Sequence, residues 1–182
     1  MKLSRLVPLL LVSCFGAALL LAMQVQVPEA PDREQPFPAF RLSSLLQPEK
    51  LTPASLPPQV YILNVWASWC RVCRQEHGFL MDVAAQQTLP IIGLNYRDQR
   101  DSAVRMLTLS GNPYQQVIFD QQGSLALDLG VYGTPETYLV DHRGMIRYRH
   151  HGALNSAVWQ QQFEPRIKRL RASQERVGEQ GG

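Results

Sequence analysis

Two cysteines separated by two residues, Cys70-Arg71-Val72-Cys73, carry the most definite chemistry in the chain. Before them, Val60-Tyr61-Ile62-Leu63-Asn64-Val65-Trp66 is a short, nearly continuous apolar run, the pattern of a strand buried on both faces. After them, from Arg71 to Gln87, Val72, Phe79, Leu80, Val83 and Ala84 recur at helical spacing. The pair therefore falls where a buried strand gives way to an amphipathic helix. The first amides of a helix lack intrahelical acceptors and carry partial positive charge. A sulfur placed there is stabilised as thiolate, and its pKa drops below the free value of about 8.5. Arg71 and Arg74 add full positive charges nearby. Cys70 is expected to be the partly exposed nucleophile. Cys73, one turn on, is expected to be more buried and to resolve a mixed disulfide. Two inert core cysteines are the plainer alternative. A zinc knuckle would need a second ligand pair, and His150-His151 lies far off in sequence. Covalent haem attachment needs histidine after the second cysteine, where Arg74 stands.

Such a pair needs a sheet to hold it. Pro90 to Tyr96 reads as a second buried strand, at an interval that fits a βαβ crossover. Asp98 or Asp101 is expected to cap a following helix that ends near Leu109, before the breakers Ser110-Gly111-Asn112-Pro113. Gln116 to Phe119 reads as a third strand, and Ser124 to Leu129 as a short helix. Thr137 to Val140 and Met145 to Arg149 form a hairpin through Asp141-His142-Arg143-Gly144. In its second strand Ile146 and Tyr148 alternate with Arg147 and Arg149, which predicts one solvated face. A last helix starts near Asn155 and lines up Trp159, Phe163, Ile167 and Leu170. Pro165 predicts a kink or restart at Glu164. Phe37 to Leu45 is an expected edge strand, and the proline-bearing stretch Leu46 to Pro58 an expected loop. The class is α/β, a mixed central sheet with helices on both faces.

The chain has 182 residues, of which 45% are hydrophobic and 18% charged, with a formal charge of +3. That is material for one core; it argues against a disordered charged chain and against a dedicated nucleic-acid binder. Three cysteines are too few for a disulfide-stapled mini-fold. Lys2 and Arg5 precede an uncharged run from Leu6 to Val27, long enough to span a bilayer with the short tail inside. An uncleaved anchor is the expected reading. A cleaved signal is the first rival, with a poor exit site at Leu21-Ala22-Met23-Gln24. A lipoprotein box at Leu11-Val12-Ser13-Cys14 is the second. All three put the domain outside the cytoplasm. The expected organisation is an anchor over 1–27, a proline-rich and charged tether over 28–36, a domain over 37–172 and a disordered tail over 173–182. Arg166, Lys168, Arg169 and Arg171 read as a solvated helix face, Trp66 as core, and Trp69 as a shield for the site or a contact for substrate.

The segment Trp66-Ala67-Ser68-Trp69-Cys70-x-x-Cys73 resembles the thioredoxin signature, and Gly133-Thr134-Pro135 resembles the cis-proline loop that faces it. Only a proline adopts a cis bond at modest cost; a trans turn proline is the alternative. The resemblance implies a thioredoxin fold, a redox disulfide between Cys70 and Cys73, and a substrate-binding edge formed by Trp69, Thr134, Pro135 and Glu136. Glu76-His77, Gly93-Leu94-Asn95-Tyr96 and Gly130 to Thr137, together with the anchor, are similar to the thiol:disulfide interchange proteins of cytochrome c maturation, the CcmG/DsbE type. That likeness runs from the anchor to about Leu170. It implies a monomeric, single-pass protein of the bacterial inner membrane with its domain in the periplasm. Such a protein is a protein-disulfide reductase that keeps the haem-binding cysteines of apocytochrome c reduced, directly or through a maturation thiol protein. It is recharged by a membrane carrier of the DsbD/CcdA type, with no cofactor or metal beyond the cysteine pair and no nucleic acid.

The chain departs from that family at Arg71, where a proline usually stands. Losing the proline and adding a cation favours the thiolate and makes the disulfide more oxidising. Thioredoxins carry a buried acid six residues before the first cysteine; here that position is Asn64, which cannot transfer protons. Glu76 or Glu136 is expected to relay the proton of Cys73. Two other functions stay open. A thioredoxin-like peroxidase would want a threonine beside the cysteine, for which Ser68 is a weak substitute. A non-redox apocytochrome or haem chaperone would keep working after Cys70→Ser.

Overall fold

The structure is a computed structural model and describes residues 34–180. The anchor expected over 1–27, Cys14 and the tether as far as residue 33 lie outside the described residues. Among the described residues no helix is long and apolar enough to cross a membrane.

Eight strands form one sheet: β1 (Gln35–Pro36), β2 (Leu42–Ser44), β3 (Lys50–Leu51), β4 (Tyr61–Trp66), β5 (Ile91–Tyr96), β6 (Gln116–Asp120), β7 (Glu136–Val140) and β8 (Met145–His151). Their order is β1-β8-β7-β4-β5-β6-β2-β3. The centre, β4-β5-β6, is parallel, and β7 and β2 flank it antiparallel. The helices are α1 (Arg71–Ala85), α2 (Arg100–Ser110), α3 (Ser124–Asp128), α4 (Ser156–Val158) and α5 (Glu164–Gln180).

Strand β4 is buried at all six positions because both sheet faces are covered. On one face Ile62 and Trp66 pack with Leu80 and Val83 of α1, Leu107 of α2, and Phe163 and Ile167 at the C-terminal helix. On the other, Leu63 and Val65 pack with Leu125 and Ala126 of α3 and with Ile146 of β8. Full burial of each large aliphatic side chain contributes about 1.5–3 kcal/mol. Gly93 of β5 is required by packing: a Cβ there would meet Trp66 Nε1 at 2.8 Å and the Tyr114 ring at 3.0 Å. Its absence lets those rings stack, with centroids 5.5 Å apart.

The proline of the last helix acts where the sequence placed it. Between α4 and α5, Trp159–Phe163 forms a π-helical segment, and the Glu164 amide donates to Trp159 O five residues back. The widened turn accommodates Pro165, which has no N–H to give and whose ring crowds the carbonyl four residues earlier in a regular helix. It also stacks Trp159 on Phe163, with centroids 5.4 Å apart.

Four boundaries differ from expectation. Gln35 and Pro36, assigned to the tether, pair with Ile146 and Met145. The edge strand shrinks to Leu42–Ser44, since prolines 36 and 38 cannot donate to a ladder. The expected loop contains β3 and a 3-10 turn at Pro53–Ser55, because Leu51 is buried while Lys50 faces out. Helix α5 continues to Gln180 through the stretch expected to be disordered. Ser173-Gln174-Glu175-Arg176 offers no apolar residue to pack but also no proline or glycine to stop a helix, and the helix runs on through Gly178.

Candidate active site

Cys70 is the N-cap residue of α1, and its sulfur accepts the Cys73 amide at 3.0 Å. That is one of the orphan donors that the helix start provides. A disulfide joins Cys70 to Cys73. Cys73 is 2% exposed and Cys70 5%, so the order of burial is as expected, but Cys70 is not partly exposed in the disulfide form. Its Sγ faces Thr134 O at 3.6 Å, across a cis Thr134–Pro135 bond. The backbone edge expected to receive substrate therefore lies directly on the sulfur.

The loop leading into Cys70 is held from below by an unforeseen acid. Asp98, expected as a helix cap, instead accepts from the Ser68 amide at 2.5 Å, the Ser68 hydroxyl at 2.7 Å and the Asn95 amide at 3.0 Å. It also accepts from the Gln99 amide at 2.8 Å, while α2 starts at Gln99 with no side-chain cap. Arg74 pins the same loop from above by donating to Ser68 O at 2.6 Å. The Ser68 hydroxyl is thereby committed to a carboxylate, which weakens it further as a peroxide ligand. Trp69 is 56% exposed, with its indole N–H donating to Arg97 O at 3.0 Å.

Glu76 enters the same site from α1, one turn beyond Cys73. Helical side chains lean toward the N-terminus, so Glu76 covers the turn that carries Cys73. It is 2% exposed; Oε1 accepts the Asn64 amide at 3.0 Å and Oε2 accepts the Leu154 backbone N–H at 2.7 Å. Desolvation raises its pKa to about 7, against the pull of those two donors. Asn64 also donates to Thr137 Oγ1 at 3.1 Å and accepts from Tyr114 OH at 2.9 Å. The strand position that holds the acid in thioredoxins here supports an acid supplied by the helix.

Glu136 is placed otherwise. Its neighbours on β7 alternate, and Thr137 faces Asn64 while Tyr138 packs on the far side of the sheet. Glu136 points with Tyr138, away from Cys73. Its carboxylate accepts from Tyr138 OH at 2.9 Å, from Arg149 at 2.6 and 3.0 Å, and from the Tyr132 amide at 2.9 Å. His151 Nδ1 lies 3.3 Å from it. Arg149 donates in turn to Gly130 O. Glu136 thus braces the cis-proline loop from behind and has no free face for substrate or for the Cys73 proton. Tyr114 and Leu154 were not singled out by the sequence, and Asp98, Thr137 and Arg149 were read there only as a helix cap, a strand residue and a solvated strand face; only the fold brings them to the site.

A dithiol–disulfide pair capping a helix, opposed by a cis-proline edge on a thioredoxin-like α/β sheet, defines a thiol-disulfide oxidoreductase. Comparison with known proteins agrees. Residues 32–162 match the Redoxin family. The thiol:disulfide interchange protein DsbE of Yersinia pestis is 50% identical over 137 residues, covering 74% of this chain and 72% of that protein. DsbE of Escherichia coli strain K12 is 43% identical over 169 residues, covering 88% and 91%. A secreted thiol-disulfide isomerase from Corynebacterium glutamicum shares the fold, with a TM-score of 0.62 at 24% identity over 75% of this chain and 93% of its own. The chain belongs to the Redoxin family and, within it, to the thiol:disulfide interchange proteins of the DsbE type.

Proposed function

We propose that this chain is a membrane-tethered periplasmic reductant that keeps the haem-binding cysteines of apocytochrome c as thiols. It acts on them directly or through a maturation thiol protein, and needs no cofactor beyond Cys70 and Cys73. The observation that carries the reading is the buried Glu76, one helical turn after the resolving cysteine on α1, in a chain whose relatives are DsbE proteins. In the dithiol form the Cys70 thiolate, stabilised by the Cys73 amide, attacks one sulfur of a client disulfide and releases the other as thiolate. The client segment pairs along the Thr134–Pro135 edge during this step. Cys73 then gives its proton to the Glu76 carboxylate and attacks Cys70 Sγ, releasing the second client thiolate. Two electrons pass to the client, the two released thiolates take up two protons, and the Cys70–Cys73 disulfide remains. A membrane thiol carrier of the DsbD/CcdA type returns two electrons to it.

Trapping tests this. In cells carrying Cys73→Ala, clients cannot be released from Cys70 and accumulate as mixed disulfides. The expected conjugates are apocytochrome c or a partner of its maturation. A broad spread of secreted proteins would overturn the cytochrome role, and normal cytochrome c assembly with Cys70→Ser would overturn the redox role.

A further inference from the structure

The Thr134–Pro135 edge pairs with an extended client through backbone groups, which supply affinity, whereas side-chain selectivity needs a pocket beside it. A groove on the Trp69 side of Cys70 can supply it. It has a volume of about 500 Å³ and lies between the start of α1 and the exposed face of α2. Trp69, immediately before Cys70, forms its inner wall; Met106 and Leu109 form the outer one. Leu109 is 79% exposed, an apolar side chain held out at the lip of a redox site.

Charge in the groove is of one sign. Arg74 and Arg105 line it, and no carboxylate does. Asp98 is buried behind Ser68 with its oxygens taken by four donors. Asp101, one turn before Arg105, makes no ion pair among the described residues. Arg105 likewise has neither hydrogen bond nor ion pair among them, whereas Arg74 is pinned to the Ser68 carbonyl. On α2, Arg105 and Leu109 are four residues apart and present one cation and one apolar group to the same visitor.

We infer that this groove seats the client segment flanking the cysteine under attack and selects one that carries an acidic residue next to an apolar one. The inference rests on the thiol-disulfide reading above and adds the client's side-chain chemistry to it. An acidic side chain is drawn to the two arginines, and its apolar neighbour covers Trp69 and Leu109.

Exchange kinetics test it, using the full chain in detergent, reduced beforehand. Two synthetic peptides with the same internal disulfide are compared, one with Glu-Leu beside the cysteine and one with Gln-Leu. The readout is the ratio of their second-order rate constants for peptide reduction. At low salt the Glu peptide is expected to react about fivefold faster, the upper range for an exposed ion pair, and the ratio to approach one in molar salt. Arg105→Glu is expected to bring the ratio below one. A ratio of one for the unaltered chain, or an unchanged ratio in Arg105→Glu, overturns the groove assignment. Reaction of the unaltered chain with 2-hydroxyethyl disulfide separates the two levels: no reaction there removes the thiol-disulfide reading itself, and the groove proposal with it.

Discussion

Glu76 is an acid whose value lies in being hard to ionise. With a pKa near 7 it is divided between its two forms at neutral pH, where a general base both accepts and returns a proton readily. Glu76→Gln keeps the size and removes the transfer; the Asn64 amide can turn over to satisfy it through Tyr114 OH. The client-release step is expected to slow on the order of 100-fold, and the inflection near pH 7 in its rate to vanish. Stopped-flow decay of a preformed Cys70 mixed disulfide at pH 5.5 to 8.5 checks both. Stability carries a second signature. The folded-state pKa lies above the ordinary 4.5, so the protonated carboxyl's advantage is whole below pH 4.5 and is lost as pH rises through 7. Unfolding in urea should cost on the order of 3 kcal/mol less at pH 8 than at pH 4.5 from this group alone, a difference absent in Glu76→Gln. Glu136→Gln, by contrast, should leave the rate inflection in place, since its carboxylate faces the opposite side of the sheet.

The start of α1 sets the reactivity of Cys70, and Arg71 stands at its first position with its side chain exposed. Its cation adds to the field of the unpaired amides and favours the thiolate, hence the dithiol over the disulfide. Proline at that place would supply a fixed φ suited to a helix start without a charge. Arg71→Pro is therefore expected to make the protein more reducing by a few tens of millivolts, about 30 mV for each 1.4 kcal/mol lost from the dithiol form. Equilibration with glutathione buffers, read by Trp69 fluorescence or by alkylation, measures the shift. A more positive potential would show that backbone preorganisation outweighs charge here. The π-helical segment before Pro165 is a helix adapting to a residue it cannot exclude. Its widened turn keeps Trp159, Phe163 and Ile167 buried through the interruption.

Across the whole molecule, what was legible in the sequence is what local periodicity encodes: the β4–α1 junction, the helix faces and the β7–β8 hairpin. The cysteine pair and the cis-proline were legible because so few residue types can do their work. The acid clamp was not. Asp98 meets Ser68 across 30 positions, Tyr114 meets Asn64 across 50, and Leu154 meets Glu76 across 78. No spacing rule spans such distances, and Asp98 looked like a helix cap because an acid before a helix usually is one. The same long-range view sets a polarity. Cys70 follows the C-terminal end of β4, whereas Gln35 and Pro36 pair beside the β7–β8 turn, where Phe37 N–H donates to Gly144 O. Tyr61, the first residue of β4, lies opposite Val140 at that turn's base, so the chain enters the sheet at the end away from the cysteines. A chain starting at residue 32 is expected to reduce 2-hydroxyethyl disulfide within about twofold of the full chain's rate, because the core and site are all downstream. Under the proposed membrane-tethered role it should support cytochrome c assembly at least tenfold less well at equal abundance, since tethering two partners to one surface would raise their avidity by about 10²–10⁴. Haem-stained cytochrome levels at matched expression decide it: full assembly by the shortened chain would mean that the tether does not set the encounter with its electron donor.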